Sequence, residues 1–203
     1  MTSGSGHEVA AGSADPQPVD VQPGLVVYRL VIPDEEPEQC GPFLDKCLEN
    51  VTQAGGWANV VRVLLRSRVS DVFRDVFDTY WIVAGQSIRA QVKDDRVLVA
   101  FLRQVLPPYT GGAVRLYRGE NTRAHTRGHV GFAWSSNIEV ARGFASAVNA
   151  TPWGGVLLEG YFPRSAIISG PNEHSVYLDE HQFTVDPFAG VPVSVLERHP
   201  PVV

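Results

Sequence analysis

Residues 114–120 read Val-Arg-Leu-Tyr-Arg-Gly-Glu, VRLYRGE. The stretch has the short, β-branched and aromatic composition of a strand, yet it contains two arginines. Strand side chains alternate between faces, so Val114, Leu116 and Arg118 share one face while Arg115 and Tyr117 share the other. Arg118 therefore points with the apolar residues. A charge on that side is costly unless an anion meets it. A protein carboxylate or a bound phosphate would serve.

The sequence changes character on either side of this strand. Upstream, LVVYRLVI (25–32) reads as a strand between Gly24 and Pro33, and DEEPEQCGP as a loop. From Pro42 to about Ser67 the apolar spacing is helical, and Gly55-Gly56 divide it in two. Ser70 opens a further helix, SDVFRDVFDTYWIVAG, which Gly85 ends or bends. Asp94 or Asp95 caps the next, RVLVAFLRQVL, and Pro107-Pro108 stop it. Downstream the chain reads mainly as strands: AVRLYRG, GHVGFAWS, GGVLLEGYF, EHQFTV and PVSVLER, interrupted by one short helix, IEVARGFASA. The expected class is α+β, helices first and then an antiparallel-rich β half.

The chain has 203 residues, 44% of them hydrophobic and 19% charged, which suits one packed domain. The first residues, 1–24, are rich in Gly, Ser, Pro and Asp and are expected to be a disordered leader. Residues 25–203 are expected to form a single domain, with a strand and helices over 25–110 and a β-rich core over 111–203. The net charge of −5 argues against a nucleic-acid partner, which calls for a basic face. Two cysteines, Cys40 and Cys47, make no disulfide framework, so a reducing compartment is expected. No apolar run is long enough to span a bilayer and no secretory signal is evident, so the expected location is the cytoplasm. The histidines show no zinc-type spacing, and no metal is expected.

Two stretches carry candidate chemistry. In GFAWSSNIEVARGFA (131–145) a strand runs into a helix with Val140, Ala141 and Phe144 inward. Ser136 with Glu139 fits a capping box, which accounts for Ser136 structurally and leaves Ser135, at the strand end, unexplained. In NEHSVYLDEHQFTVDP (172–187) a polar loop feeds a strand. Alternation places Glu180, Gln182 and Thr184 on one face and His181, Phe183 and Val185 on the core face, so His181 reads as a packed histidine. A wetted strand face explains Glu180 and Gln182 equally well. Glu120 reads as a loop charge, and Arg123, His125, Arg127 and His129 as a solvated loop.

Arg118, Ser135 and Glu180/Gln182 fall in order on three strand ends. In LYRGE, GFAWSSNIEVARGFA and EHQFTVDP the chain resembles ADP-ribosyltransferases of the Arg–Ser–Glu type, in particular bacterial and phage-associated members, over roughly residues 113–190. The resemblance implies N-terminal helices followed by a mainly antiparallel, split β core around an NAD cleft. It implies NAD as substrate, with ADP-ribose passing to a macromolecular target, a protein for example, or to water. Arg118 would bind the phosphate side of NAD, with Gly119, Ser135, Ser136 and Phe144 also on the NAD side. Tyr177 and Asp179 would lie in a loop that contacts the target. The family's acidic motif is commonly Glu-x-Glu with the second residue catalytic, and here it reads Glu180-His181-Gln182. Either Gln182 occupies the catalytic position and the charge is lost, or Glu180 is the catalytic carboxylate in a shifted register. In the first case the chain would be a catalytically impaired binding or regulatory module. The serine motif also departs from the family's Ser-x-Ser, and Ser135 is the expected functional serine in either alignment.

Overall fold

The computed structural model describes residues 37–202, with side chains from residue 43 onward. The expected leader (1–24) and first strand (25–32) lie outside the described residues. Helix α1 runs Pro37–Gln53, starting inside the stretch expected to be a loop. Proline suits a first helical position because the N–H it lacks would have no partner there. Gly55, at φ +70°, closes the break before α2 (Trp57–Leu64). Helix α3 spans Asp71–Val92, and the Ser70 hydroxyl oxygen caps it by accepting the Phe73 N–H. It continues through Gly85. A Cβ on Gly85 would meet the Trp81 ring at 3.4 Å, an ordinary contact, and the glycine does not end the helix. Helix α4 (Asp95–Val105) is capped by Asp94, which accepts the N–H groups of Arg96 and Val97.

The inward stripes of these helices form an aromatic core. Phe77 stacks on Phe73 at 5.5 Å and meets Phe101 edge-on at 5.2 Å. Phe132 and Ile168, from the β half, belong to the same core. The Trp81 indole N–H donates to the Thr184 hydroxyl at 2.9 Å. Helical and β halves therefore share buried surface, and α3 lies directly against the sheet.

Six strands follow: β1 (Val114–Asn121), β2 (Ala133–Ser135), β3 (Gly155–Phe162), β4 (Ile167–Ser169), β5 (Gln182–Val185) and β6 (Val193–His199). Their order is β4-β5-β2-β1-β3-β6, and every pairing is antiparallel. Between them come α5 (Thr122–Thr126), α6 (Ile138–Ser146) and α7 (Glu173–Tyr177). The chain is thus α+β, with seven α-helices among the described residues. The sequence reading anticipates every strand except β4. It treats α5 and α7 as loops, because five residues are too few for a helical period to show. Among the described residues no helix is long and apolar enough to cross a membrane.

One face of the sheet buries Leu116, Trp134, Leu158, Phe162, Phe183 and Val185. The other carries α6. That helix lies so close to β1 that a Cβ on Gly119 would fall 2.3 Å from the Ala141 carbonyl oxygen and the Ala145 nitrogen. Strands β1 and β2 pair only at Tyr117 and Ser135. The halves β4-β5-β2 and β1-β3-β6 meet at that one pair.

Candidate functional site

Past the Tyr117–Ser135 pair, β1 and β2 exchange no further ladder bonds, and two side chains take over. Arg118 donates through Nη1 to the Ala133 carbonyl and through Nε to the Glu120 carboxylate, the latter at 2.8 Å. Glu120 in turn accepts the N–H of Gly131 at 2.9 Å and of Asn121 at 2.8 Å. The ion pair splices β1 to the segment entering β2, satisfying backbone groups that a ladder would otherwise satisfy. Both side chains are buried, at 7% and 8% exposure.

The inward arginine is therefore met by a protein carboxylate. Glu120, expected to be a loop charge, is a buried strand residue. Two-residue spacing places it on the Arg118 face, and that parity was already present in the sequence. Burial alone would push the Glu120 carboxyl up. The Arg118 charge and its hydrogen bond, with the N–H groups of Asn121 and Gly131, outweigh burial and hold it below the usual carboxylate range.

Gly131 is part of the same arrangement. A Cβ there would lie 2.1 Å from Arg118 Nη2. The guanidinium is fastened through its other nitrogens, so it has little freedom to retreat. Gly131→Ala is expected to push Arg118 off its seat and to cost about 1–3 kcal/mol, as overpacking does. Denaturant unfolding measures this, and wild-type stability would show that the seat is slack.

A cleft of about 380 Å³ opens beside the splice. Arg118, Gly119, Ser135, Phe144, Glu180 and Gln182 all line it. Residues far apart in the chain thus converge on one hollow. Ser136, Tyr177 and Asp179 are not in its wall. Ser136 is exposed and does not cap α6. The cap is Asn137, whose side-chain oxygen accepts the Glu139 N–H at 3.0 Å, because the helix starts one residue later than the expected capping box requires. Tyr177, 85% exposed, and Asp179 stand outside the cleft on the segment that leads to Glu180. Phe144, expected to point into the core, is 40% exposed and faces the cleft.

Ser135 occupies the centre. It is buried, donates to the Glu180 carbonyl at 2.6 Å and accepts the Asn137 N–H at 2.9 Å. It lies opposite Tyr117 on one side and Gln182 on the other, so the three form a row across the seam. Gln182 opens β5, whereas Glu180 belongs to the turn after α7. There Asp179 (φ 56°) and His181 (φ 44°) are left-handed, so regular alternation does not run through 180–182. Both Glu180 and Gln182 nevertheless reach the cleft. His181, expected in the core, sits half-exposed with its Nε2 3.2 Å from Asp179.

Sequence reasoning did not find the part of the wall that α3 supplies, with Trp81, Gln86 and Arg89. Arg89 makes two bonds to Asp95, at 2.9 and 2.6 Å, and one to the Val130 carbonyl at 3.3 Å. It also lies over the Phe132 ring, 5.3 Å from the centroid. An arginine on an exposed helical stripe carries no signal of such a place. The loop cations Arg123, His125, Arg127 and His129 do not line the cleft, and Arg123 instead covers Trp153 at 4.9 Å.

The cleft thus holds two guanidinium groups, each with its partner carboxylate outside the wall, together with one carboxylate and the side-chain amides of Gln86, Asn149 and Gln182. Glu180 is the only acidic residue in the wall among the described residues. Compared with models of known protein families, with curated proteins and with solved structures, the chain finds no match in any of the three.

Proposed function

We propose that this chain is an ADP-ribosyltransferase-like protein that takes NAD as its substrate and breaks the nicotinamide–ribose bond. One observation carries the reading: Arg118, Ser135 and the Glu180/Gln182 pair line a single cleft. The single-pair seam between two three-stranded halves is in keeping with it, since the resemblance implies a split antiparallel core around such a cleft.

The chemistry of the wall suits the substrate. Arg118 Nη2 and Arg89 Nη1 have no hydrogen bond to protein among the described residues, and each can give a single charge-assisted hydrogen bond to a phosphate oxygen. Phe144, 40% exposed, offers an apolar face to a planar ring. As the bond breaks, the nicotinamide nitrogen leaves with the electron pair and positive charge grows on the ribose. Glu180 is the group placed to stabilise that charge. At ~4 Å and an effective dielectric of about 20 the Coulomb interaction is roughly 4 kcal/mol. Ser135 steadies the Glu180 backbone through its carbonyl. Gln182 is suited to hydrogen-bond a ribose hydroxyl. The ADP-ribose then passes to a macromolecular acceptor or to water.

A second reading has one observation in its favour. Gln182, at the second position of the motif where the resemblance implies the catalytic carboxylate, is the residue in register opposite Ser135, and Glu180 is not. On this reading the chain binds NAD without turning it over. Calorimetric titration with NAD, followed by an assay of nicotinamide release, separates the two. We expect binding that weakens as salt rises, together with measurable release. Binding without release favours the second reading, and no binding at low salt removes both.

A further inference from the structure

The segment that carries Glu180 is tied to α3 through one side chain. Asn172 caps α7, its Oδ1 accepting the Ser175 N–H at 2.9 Å. Its Nδ2 donates to Asp78 on α3, to the backbone carbonyl and to the carboxylate, both at 3.0 Å. Ser175 is fully buried, and its hydroxyl donates back to the Asn172 carbonyl at 3.0 Å. The Ser175 carbonyl accepts the N–H groups of Glu180 at 2.9 Å and His181 at 3.1 Å. Ser135 then takes the Glu180 carbonyl from the other side. Asp179 and His181, on either flank of Glu180, hold left-handed backbone that non-glycine residues adopt at a cost. The segment keeps this shape because the bonds around Ser175 hold it.

We propose that Asn172 and Asp78 are positioning residues, and that their bond sets where the Glu180 side chain stands in the cleft. Helix α3 also carries Arg89, which lines the same cleft, so the bond to Asp78 links the segment bearing Glu180 to the helix that bears that cation. The effect on chemistry rests on the NAD reading, whereas the shape of the segment does not. Asp78 is half-buried. Burial raises its carboxyl above the usual range, the hydrogen bond from Asn172 opposes that rise, and the charge on Asp75 adds to it. A carboxylate withdrawn from water depends on its donor.

The test is an exchange of roles. Asn172→Asp keeps an oxygen to cap α7 but sets a second carboxylate against Asp78. Adding Asp78→Asn restores the side-chain donor–acceptor pair in the reverse sense, while the backbone carbonyl of residue 78 does not regain the donor that Asn172 gave it, so a partial recovery is expected. Amide hydrogen exchange at Glu180 and His181, followed by NMR, is expected to speed up about 10–100-fold in the single variant and to return toward wild type in the double variant. Amides in the middle of α3 should not change. Unchanged exchange in the single variant, or no recovery in the double, overturns the proposal. The rate constant kcat for nicotinamide release is expected to fall by a similar factor with KM little altered, and to recover likewise. Faster exchange with unaltered kcat also overturns it, because the tether would then not position the site. A wild-type protein that does not bind NAD disposes of the functional reading, and the exchange data then decide the tether alone. Asn172→Ser, which caps α7 but has no amide to give Asp78, replaces Asn172→Asp if that variant does not fold.

Discussion

Glu180→Gln is expected to slow nicotinamide release by about 10²–10³-fold, the usual consequence of deleting one preorganised electrostatic stabiliser. The change keeps shape and hydrogen-bonding capacity and removes only the charge. The Ser135 hydrogen bond goes to the Glu180 backbone and survives the substitution. Thermal stability and NAD affinity should therefore stay near wild type while kcat falls. Gln182→Glu is the complementary experiment. It sets a carboxylate directly opposite Ser135, two residues from Glu180. If Glu180 carries the reaction, this second charge adds little. Release that appears only in Gln182→Glu, and is indifferent to Glu180→Gln, would move the catalytic position to 182 and make the native chain an impaired binder.

The largest effect on stability is expected from Glu120→Ala. The substitution leaves the Arg118 guanidinium buried without its partner and strips acceptors from the Gly131 and Asn121 N–H groups. Removing one member of a buried ion pair costs about 3–5 kcal/mol. The splice between β1 and β2 depends on this pair, so the cleft should loosen with the fold. The double variant Glu120→Leu/Arg118→Met leaves no orphaned charge and should lose less stability than Glu120→Ala alone, as denaturant midpoints would show. A single variant as stable as wild type would mean that water, and not Glu120, satisfies the arginine.

The same pair gives a pH dependence. The folded carboxyl of Glu120 titrates below its ordinary value of 4.5, so the folded state binds the proton less readily than the unfolded state. Its stabilisation is complete above that ordinary value and is lost as pH falls through the lower folded value. Acid titration of unfolding should show this limb in wild type and not in the double variant.

Much of the site was legible in the sequence because it follows from spacing along one backbone. Ser70 and Asp94 announce helix starts, since a short polar side chain reaches N–H groups two or three residues on. The parity of Val114, Leu116 and Arg118 puts a charge on the apolar side of β1. Ser135 could be named because it ends a strand pattern, and Gln182 because it stands two residues from Glu180 in the stretch that carries the resemblance. The elements that went unread, β4, α5 and α7, are three to five residues long, shorter than the period that would reveal them. Ser136 was misplaced because a capping box one residue early has nearly the same pattern as the Asn137 cap that forms.

By itself the sequence determined the α+β order of elements, the inward arginine, and the residues worth suspecting at the strand ends, because covalent spacing alone sets helical and strand periods. Tertiary structure decided what answers the arginine, since two neighbours on one strand can bridge to the segment before β2 only where the β1–β2 ladder has ended. It also decided that Arg89 and Glu180 line one hollow. That relation depends on how α3 settles against β2 and β5, through the packing of Trp81 on Phe132 and its bond to Thr184, and no local pattern in the chain encodes it.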